Sequence, residues 1–314
     1  MKDILIDCDP GIDDALAIIF ALLSDELEVN AITAVSGNEP VDITTKNALT
    51  LVDFEGRADI PIARGRETPL ERELPGDPFS HGENGLGNID LPKPDLAACD
   101  ESGPEKIIEK ARQISGQLTL IATAPLTNVA VALQKEPSIT DDIEEMIFLG
   151  GAYGFTEYAY KNATGKNPVS EWNVYVDPDA ARLVFQSELD ITVIGLDVAT
   201  HPKNNLGEAA IERLKNSSAK ETDFVLQVLE FVSSRGFDSY CALLDPLAVG
   251  LAIDDSLGQK EEIKVDVETE GDLTLGQTVV ERRRNFSWKD APRVKAITEL
   301  NYESFLDLFL TTIL

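Results

Sequence analysis

The first two dozen residues constrain this chain more than any other stretch. After two charges, Ile4 to Asp7 is a short apolar run of the kind buried on both faces in a parallel sheet. Asp9-Pro10-Gly11 ends it. From about Ile12 to Leu23 the apolar side of a helix follows, carried by Ala15, Leu16, Ile18, Ile19 and Leu22. The junction reads Asp7-Cys8-Asp9-Pro10-Gly11-Ile12-Asp13-Asp14-Ala15, with four carboxylates in eight residues. Acids in a first helical turn gain about 0.3–1 kcal/mol from the helix dipole, which accounts for Asp13 or Asp14 but not for all four. Like charges crowded where a buried strand stops repel one another unless a cation sits among them. Hard divalent cations take six to eight oxygen ligands, calcium at about 2.3–2.6 Å, so the string reads as a site for a metal ion.

The strand–helix alternation set up here continues. Strands are expected over Leu27 to Val35, Ile60 to Ala63, Leu118 to Ala122, Ile143 to Leu149 and Ile191 to Leu196. Helices are expected from about Val41 to Phe54, Pro104 to Ile114, Leu126 onward, Pro178 to Phe185, Asn205 to Leu214, Glu221 to Ser234 and Pro246 to Ile253, with one more at the C-terminus. Ile263 to Val267 and Leu273 to Val280 read as a late strand pair. Such alternation implies an α/β fold with a mostly parallel, mixed central sheet, helices on both faces and ligands at the carboxyl ends of the strands. No repeat or linker divides the chain, so residues 1–314 are expected to form a single domain. Residues 66–101 are rich in Pro, Gly and Asp with little periodicity, and long loops of this kind are usually functional.

Composition narrows the partners. There are 56 acidic against 27 basic residues, a net charge of -29. That field repels nucleic acid and anionic membranes, so neither is expected as a partner, and the substrate should be neutral or cationic. The acids are dispersed, which suggests adaptation to high salt. Three cysteines, Cys8, Cys99 and Cys241, without paired spacing read as reduced thiols. No apolar run approaches the roughly 18 residues of a membrane span, and no leader pattern opens the chain; a cytoplasmic location is expected.

The full string DxDPGxDDAxA, completed by Ala17, resembles the inosine-uridine-preferring nucleoside hydrolase family. Further segments carry the likeness along nearly the whole chain. Val35-Ser36-Gly37-Asn38 resembles the family's asparagine-bearing turn, and His81-Gly82-Glu83-Asn84-Gly85-Leu86-Gly87 its HGxxGxG loop. Thr123-Ala124-Pro125-Leu126-Thr127-Asn128 is similar to its TGPLTN-type turn, Glu171-Trp172-Asn173 with Asp177-Pro178 to its ExN...DP signature, and Asp245-Pro246 to its late aspartate. The fold implied is the Rossmann-like one of that family.

The resemblance implies a ribonucleoside substrate, a Ca2+ cofactor and cleavage of the N-glycosidic bond. Calcium would be held by Asp9, Asp14 and Asp245 through their side chains and by Thr123 through its carbonyl. Asp9 would be the general base on a metal-bound water. Asp13 and Asn173 would hold ribose hydroxyls, Glu171 would lie near the 5'-hydroxyl and Asn38 beneath the ribose, and His81 is the catalytic candidate for protonating the departing base if its loop folds over the site. A homodimer or homotetramer is expected. Two positions depart from the pattern. Gly165 stands where many members have asparagine, so Asn167 (or Asn162) is expected to substitute. Leu244 stands where many have a histidine that could protonate the departing base, and the chain holds only His81 and His201.

Plainer roles suffice for some residues. Thr127, Asn128 and Asp177 read as helix caps, His201 as a loop residue, and Arg282-Arg283-Arg284 as a solvated strand end or subunit contact. Trp172 is left between core packing and stacking on a base. Two other readings compete with the hydrolase. DxD after a first strand also resembles the DxDx(T/V) motif of haloacid-dehalogenase-like phosphatases, with Asp7 or Asp9 as nucleophile. A nucleoside- or ribose-binding protein without turnover is the other, since binding and chemistry are separable on one fold.

Overall fold

The computed structural model describes residues 1–77, 79–285 and 287–314. Its centre is a nine-stranded sheet of order β3-β2-β1-β4-β5-β6-β9-β7-β8. The strands are β1 (Lys2–Cys8), β2 (Leu27–Ala34), β3 (Ile62–Arg64), β4 (Leu118–Ala122), β5 (Ile143–Leu149), β6 (Ile191–Ile194), β7 (Gly258–Val267), β8 (Thr278–Val280) and β9 (Arg293–Leu300). The first six and β9 run parallel, and β7 and β8 are antiparallel additions at one edge. The α/β expectation, mostly parallel with a mixed edge, is what the chain adopts.

Alternation along the strands feeds two cores. In β1, Ile4, Ile6 and Cys8 face a layer that includes α1 (Ile12–Leu23), α2 (Val41–Phe54), α10 (Lys220–Ser234), α11 (Pro246–Ile253) and α12 (Tyr302–Ile313). Leu5 faces the opposite layer, of α3 (Gly103–Gln113), α4 (Thr127–Lys135) and α7 (Pro178–Phe185). In β4 the pattern inverts, with Leu118, Leu120 and Ala122 in the second layer and Ile121 in the first. A strand buried on both faces has to be apolar throughout, which is why the central strands read as unbroken runs. The shorter helices are α5 (Tyr158–Lys161), α6 (Trp172–Val176), α8 (Leu196–Ala199) and α9 (Glu208–Lys215).

Three sequence expectations need correction. β9 was not foreseen; Arg293, Lys295 and Glu299 interrupt its apolar residues, and only Val294, Ala296 and Ile297 are buried. It nevertheless pairs parallel to β6 and antiparallel to β7, and so joins the late strands to the sheet. The expected strand over Leu273 to Val280 shrinks to Thr278–Val280, because residues 272–276 turn, with Gly276 at φ +77° and Leu273 81 % exposed. The helix expected from Asn205 starts at Glu208, because the Asn205 carbonyl oxygen Oδ1 is engaged by Ser239 and Tyr240. Residues 66–101 contain no helix or strand among the described residues.

The surface bears the charge. Asp25, Glu26, Asp141, Glu144, Glu261 and Glu262 are exposed at scattered places. Self-repulsion of a net -29 is screened by salt, since the Debye length falls to about 3 Å at molar ionic strength. The unfolding midpoint is therefore expected to rise by several degrees between 0.05 M and about 2 M potassium chloride. A midpoint that stays level across that range would remove the reading of salt adaptation. No helix among the described residues is long and apolar enough to cross a membrane.

Candidate metal centre and substrate cavity

The chain leaves β1 for β2 and β3 on one side, and later builds β4, β5 and β6 on the other. The strand order therefore switches between β1 and β4, where open α/β sheets bind their ligands outside the strand ends. The acidic string follows β1, Asn38 follows β2, Thr123 follows β4, and Gly150 and Gly151 follow β5. All of them reach this one crevice. Above it opens a cavity of about 440 Å³, within the range of small-molecule sites.

The cavity floor is acidic. Asp13, Asp14 and Asp245 each bring a carboxylate oxygen within 4.8 Å of the other two, and all three are buried. Asp14 is held on both sides: its Oδ1 accepts from Thr123 Oγ1 at 2.8 Å, and its Oδ2 from Gly11 N at 3.0 Å and Asn38 Nδ2 at 3.3 Å. Burial still lifts its pKa to about 6. Asp9 is fully buried beside Asp14 and outside the closest triple. Its Oδ2 accepts from Asn38 N at 2.6 Å, while its Oδ1 has no partner. Asp13 Oδ1 is likewise unpartnered. Burial, then neighbouring carboxylates, raises Asp9, Asp13 and Asp245 well above the usual aspartate range. Glycine is required at two places here. A Cβ at Gly37 would collide with Asp9 Oδ2, and one at Gly11 with the His81 ring.

Neutral and anionic groups surround this floor. Glu171 caps α6, its carboxylate accepting from Asn173 N at 2.8 Å, Gly151 N at 3.0 Å and Val174 N at 3.1 Å. Asn173 Nδ2 donates to the carbonyls of Thr123 and Leu149, each at 2.9 Å. Its Oδ1 is thereby left for a ligand. His81 Nδ1 accepts from Ile12 N at 3.2 Å and lies 3.8 Å from Asp13 Oδ1. That acceptance puts the ring hydrogen on Nε2. Burial, with Arg235 adding to it and Asp77 opposing, lowers His81 to about 4, so the ring is neutral near pH 7. Asp13, Asn38, His81, Thr123, Glu171, Asn173 and Asp245 all line the cavity, whereas Asp9 and Asp14 lie beneath it.

Not every expectation is met. Asn167 does not reach the cavity. Its Nδ2 donates to Leu275 O at 2.8 Å, and its Oδ1 accepts from Val169 N and Ser170 Oγ, a turn ahead of and around Pro168. Asn162 lines the cavity instead, its Nδ2 on Thr200 Oγ1 at 3.0 Å. Gly165 has no room for a side chain, since a Cβ there would meet Ser170 Oγ. Asn128 is not a cap. Its amide donates to Asp7 Oδ1 at 2.8 Å and to Ala34 O at 3.2 Å, and its Oδ1 accepts from Arg66 N at 2.9 Å, bracing β1 against β2 and the following loop. Thr127 instead donates to Asp177 Oδ2 at 2.6 Å, and Asp177 caps α7 at Ala180 N as expected. Asp7 Oδ1 accepts from Thr33 Oγ1 and Asn128 Nδ2, and the residue is not part of the cavity lining. Trp172 is buried, lines the cavity and stacks on Tyr175 with ring centroids 6.1 Å apart. Thr200, which also lines the cavity, carries no signal in the sequence, because loops far apart along the chain meet at this mouth.

Comparison with known proteins agrees with this geometry. The sequence profile of the inosine-uridine preferring nucleoside hydrolase family matches residues 4–307. An inosine-uridine preferring nucleoside hydrolase from Leishmania major is 35 % identical over 310 residues, covering 97 % of this chain and 95 % of the relative. A pyrimidine-specific ribonucleoside hydrolase, RihA, from Salmonella schwarzengrund is 36 % identical, covering 97 % and 96 %. Among solved structures, the plant nucleoside hydrolase PpNRh1 superposes with a TM-score of 0.87 at 32 % identity, covering 99 % of this chain and 98 % of the other. A purine-preferring ribonucleoside hydrolase from Gardnerella vaginalis does so with 0.87 at 31 %, over the same shares.

Proposed function

Because this chain belongs to the inosine-uridine preferring nucleoside hydrolase family, we propose that its acidic floor holds one calcium ion and that Asp9 is the base of N-glycosidic hydrolysis. The observation that carries this is the carboxylate triple of Asp13, Asp14 and Asp245 with the unpartnered Asp9 oxygen beside it.

The residues fit a hard divalent cation. Every donor is oxygen: three or four carboxylates and the Thr123 carbonyl. Among the described residues no lysine or arginine forms a salt bridge to any of them, so burial without a cation leaves them mutually repelling. When bound, calcium supplies positive charge that orients a water and lowers its pKa.

The protein's own groups do the rest. Asp9 Oδ1 is free to take a proton from the attacking water, while the Asn38 N–H on Oδ2 fixes the carboxylate's orientation. Asp13 and the free Oδ1 of Asn173 accept from ribose hydroxyls, and Glu171 faces the same cavity from the head of α6. As the bond to the base stretches, positive charge develops on the sugar ring. Carboxylates already fixed around that ring stabilise the charge without reorganising. His81, neutral and tied to the first turn of α1, serves the same face of the cavity beside Asp13.

The test is turnover of inosine and uridine followed by the appearance of reducing sugar, with an aryl phosphate assayed alongside. Ribose release from a nucleoside and no phosphate release are expected. Phosphate release without ribose would restore the phosphatase reading. Nucleoside binding without any ribose release would establish a binding protein instead.

A further inference from the structure

Leu244 occupies the position expected to hold a donor for the departing base, and its side chain lines the cavity. Of the two histidines, His81 lines the cavity and His201 does not. His201 lies outside, between Tyr158 and Tyr302, with ring centroids 4.9 Å from each. His81 sits on the acidic side, against Asp13.

One part of the lining has a different chemistry. Residues 232–244 contribute Val232, Phe237, Tyr240, Cys241 and Leu244 to the cavity. Carboxylates and amides suit a ribose; a mainly apolar wall suits the flat face of a nucleobase. On this wall the side chains with a hydrogen to donate are the Tyr240 hydroxyl and the neighbouring Cys241 thiol. Their 3-10 turn, Ser239–Ala242, is firmly placed. Asn205 Oδ1 accepts from Tyr240 N at 2.7 Å and from Ser239 Oγ at 2.9 Å, and Ser239 Oγ accepts from Leu206 N at 2.8 Å. Buried Asn204 donates to Leu243 O at 3.3 Å just beyond. The turn that carries Tyr240 is thus braced.

Resting on the hydrolase reading above, we propose that the Tyr240 hydroxyl is the hydrogen-bond donor that meets the departing nucleobase. When the bond from the sugar to the base nitrogen breaks, its electron pair stays with the base. The negative charge spreads over the base's ring nitrogens and exocyclic oxygens. Tyr240 donates a hydrogen bond to that charge and keeps its proton. The attacking water gives its oxygen to the sugar carbon and a proton to Asp9, which returns it to solvent. The released base takes one proton from solvent, and the sum is nucleoside plus water to ribose plus base. Burial raises Tyr240 above the ordinary tyrosine range, which keeps the donor hydrogen in place at neutral and mildly alkaline pH. A preorganised donor to a developing anion is worth about 10²–10³-fold where it is fully buried, and less at a half-exposed wall.

Tyr240→Phe retains the ring and removes the donor. The calcium-loaded variant should lose about 10–100-fold in kcat/KM on inosine and uridine, while 4-nitrophenyl riboside, whose leaving group needs no help, stays within about threefold. The dependence of rate on leaving-group pKa should steepen. Equal losses on all three substrates, or no loss on any, would overturn the role, as would the same leaving-group signature in His81→Ala and not in Tyr240→Phe. Failure of the wild type to release ribose from any of the three would overturn the hydrolase reading itself, and this role with it.

Discussion

Asp9→Asn is expected to lower kcat on uridine by about 10²–10⁴-fold while the protein stays folded. The substitution keeps the volume and leaves one oxygen to accept from Asn38 N, the bond that holds Asp9 Oδ2 now at 2.6 Å. It replaces the unpartnered Oδ1 by an amide or leaves that oxygen without basicity, and removes one buried charge beside Asp14. Stability should therefore move opposite to activity. In chelator, the variant is expected to unfold at a temperature equal to or higher than the wild type, because a repulsion has gone. Steady-state kinetics with calcium and thermal melts with chelator read the two effects separately. A variant within threefold of wild type would contradict the assignment of Asp9 as the base.

The second large effect concerns the cation. Chelation is expected to reduce turnover to background and calcium to restore it. Asp245→Asn should weaken calcium binding by at least about tenfold, roughly 1.4 kcal/mol, since ligand charge sets affinity at such sites. The ion-free protein also carries a pH signature whose sign is fixed. Asp14 is raised from 3.8 to about 6 by burial, Asp7 from 3.8 to about 7, and Asp9, Asp13 and Asp245 upward as well. A carboxylate raised in the folded state binds protons there that the unfolded chain has released. Stability is then full below the unfolded value and is lost as pH rises through the folded one. The melting temperature in chelator should fall between about pH 4 and pH 7, and calcium should flatten that fall. Melts that fall equally with and without calcium would argue against an ion on these carboxylates.

Much of the site could be read from sequence because its parts are local to strand ends. Asp9, Asp13 and Asp14 follow one strand within a single turn, and an acidic crowd there has few explanations other than a cation. The Rossmann-like alternation was equally plain, since β1, β4 and β5 are buried on both faces and have no polar interruption at their centres. What escaped depended on distance. Asn167 was preferred over Asn162 on sequence offset alone, yet a turn around Pro168 occupies its amide while Thr200 holds Asn162 at the mouth. Asn128 looked like a cap by position, but its amide is more strongly employed bracing Asp7 and Ala34. β9 was obscured by its charges because one face of an outer strand pairing is solvated. Tyr240 and Cys241 are near Leu244 in sequence and so near the base by expectation, but the bracing of their turn by Asn204 and Asn205 carries no motif.

Nucleobase preference is not fixed by kinship, because the similar proteins include pyrimidine-specific and purine-preferring enzymes. The wall from Val232 to Leu244 is where this chain would set its own, and the acidic floor is where the proposed chemistry would reside. Both depend on one premise, that the buried aspartates act together around a single calcium. The most direct measurement is a calcium titration of the chelated protein with uridine present, following bound calcium and released ribose in the same samples. The account predicts no ribose at zero calcium and a rate that rises in step with occupancy to saturate near one ion per chain. Full ribose release before any calcium is added would contradict it.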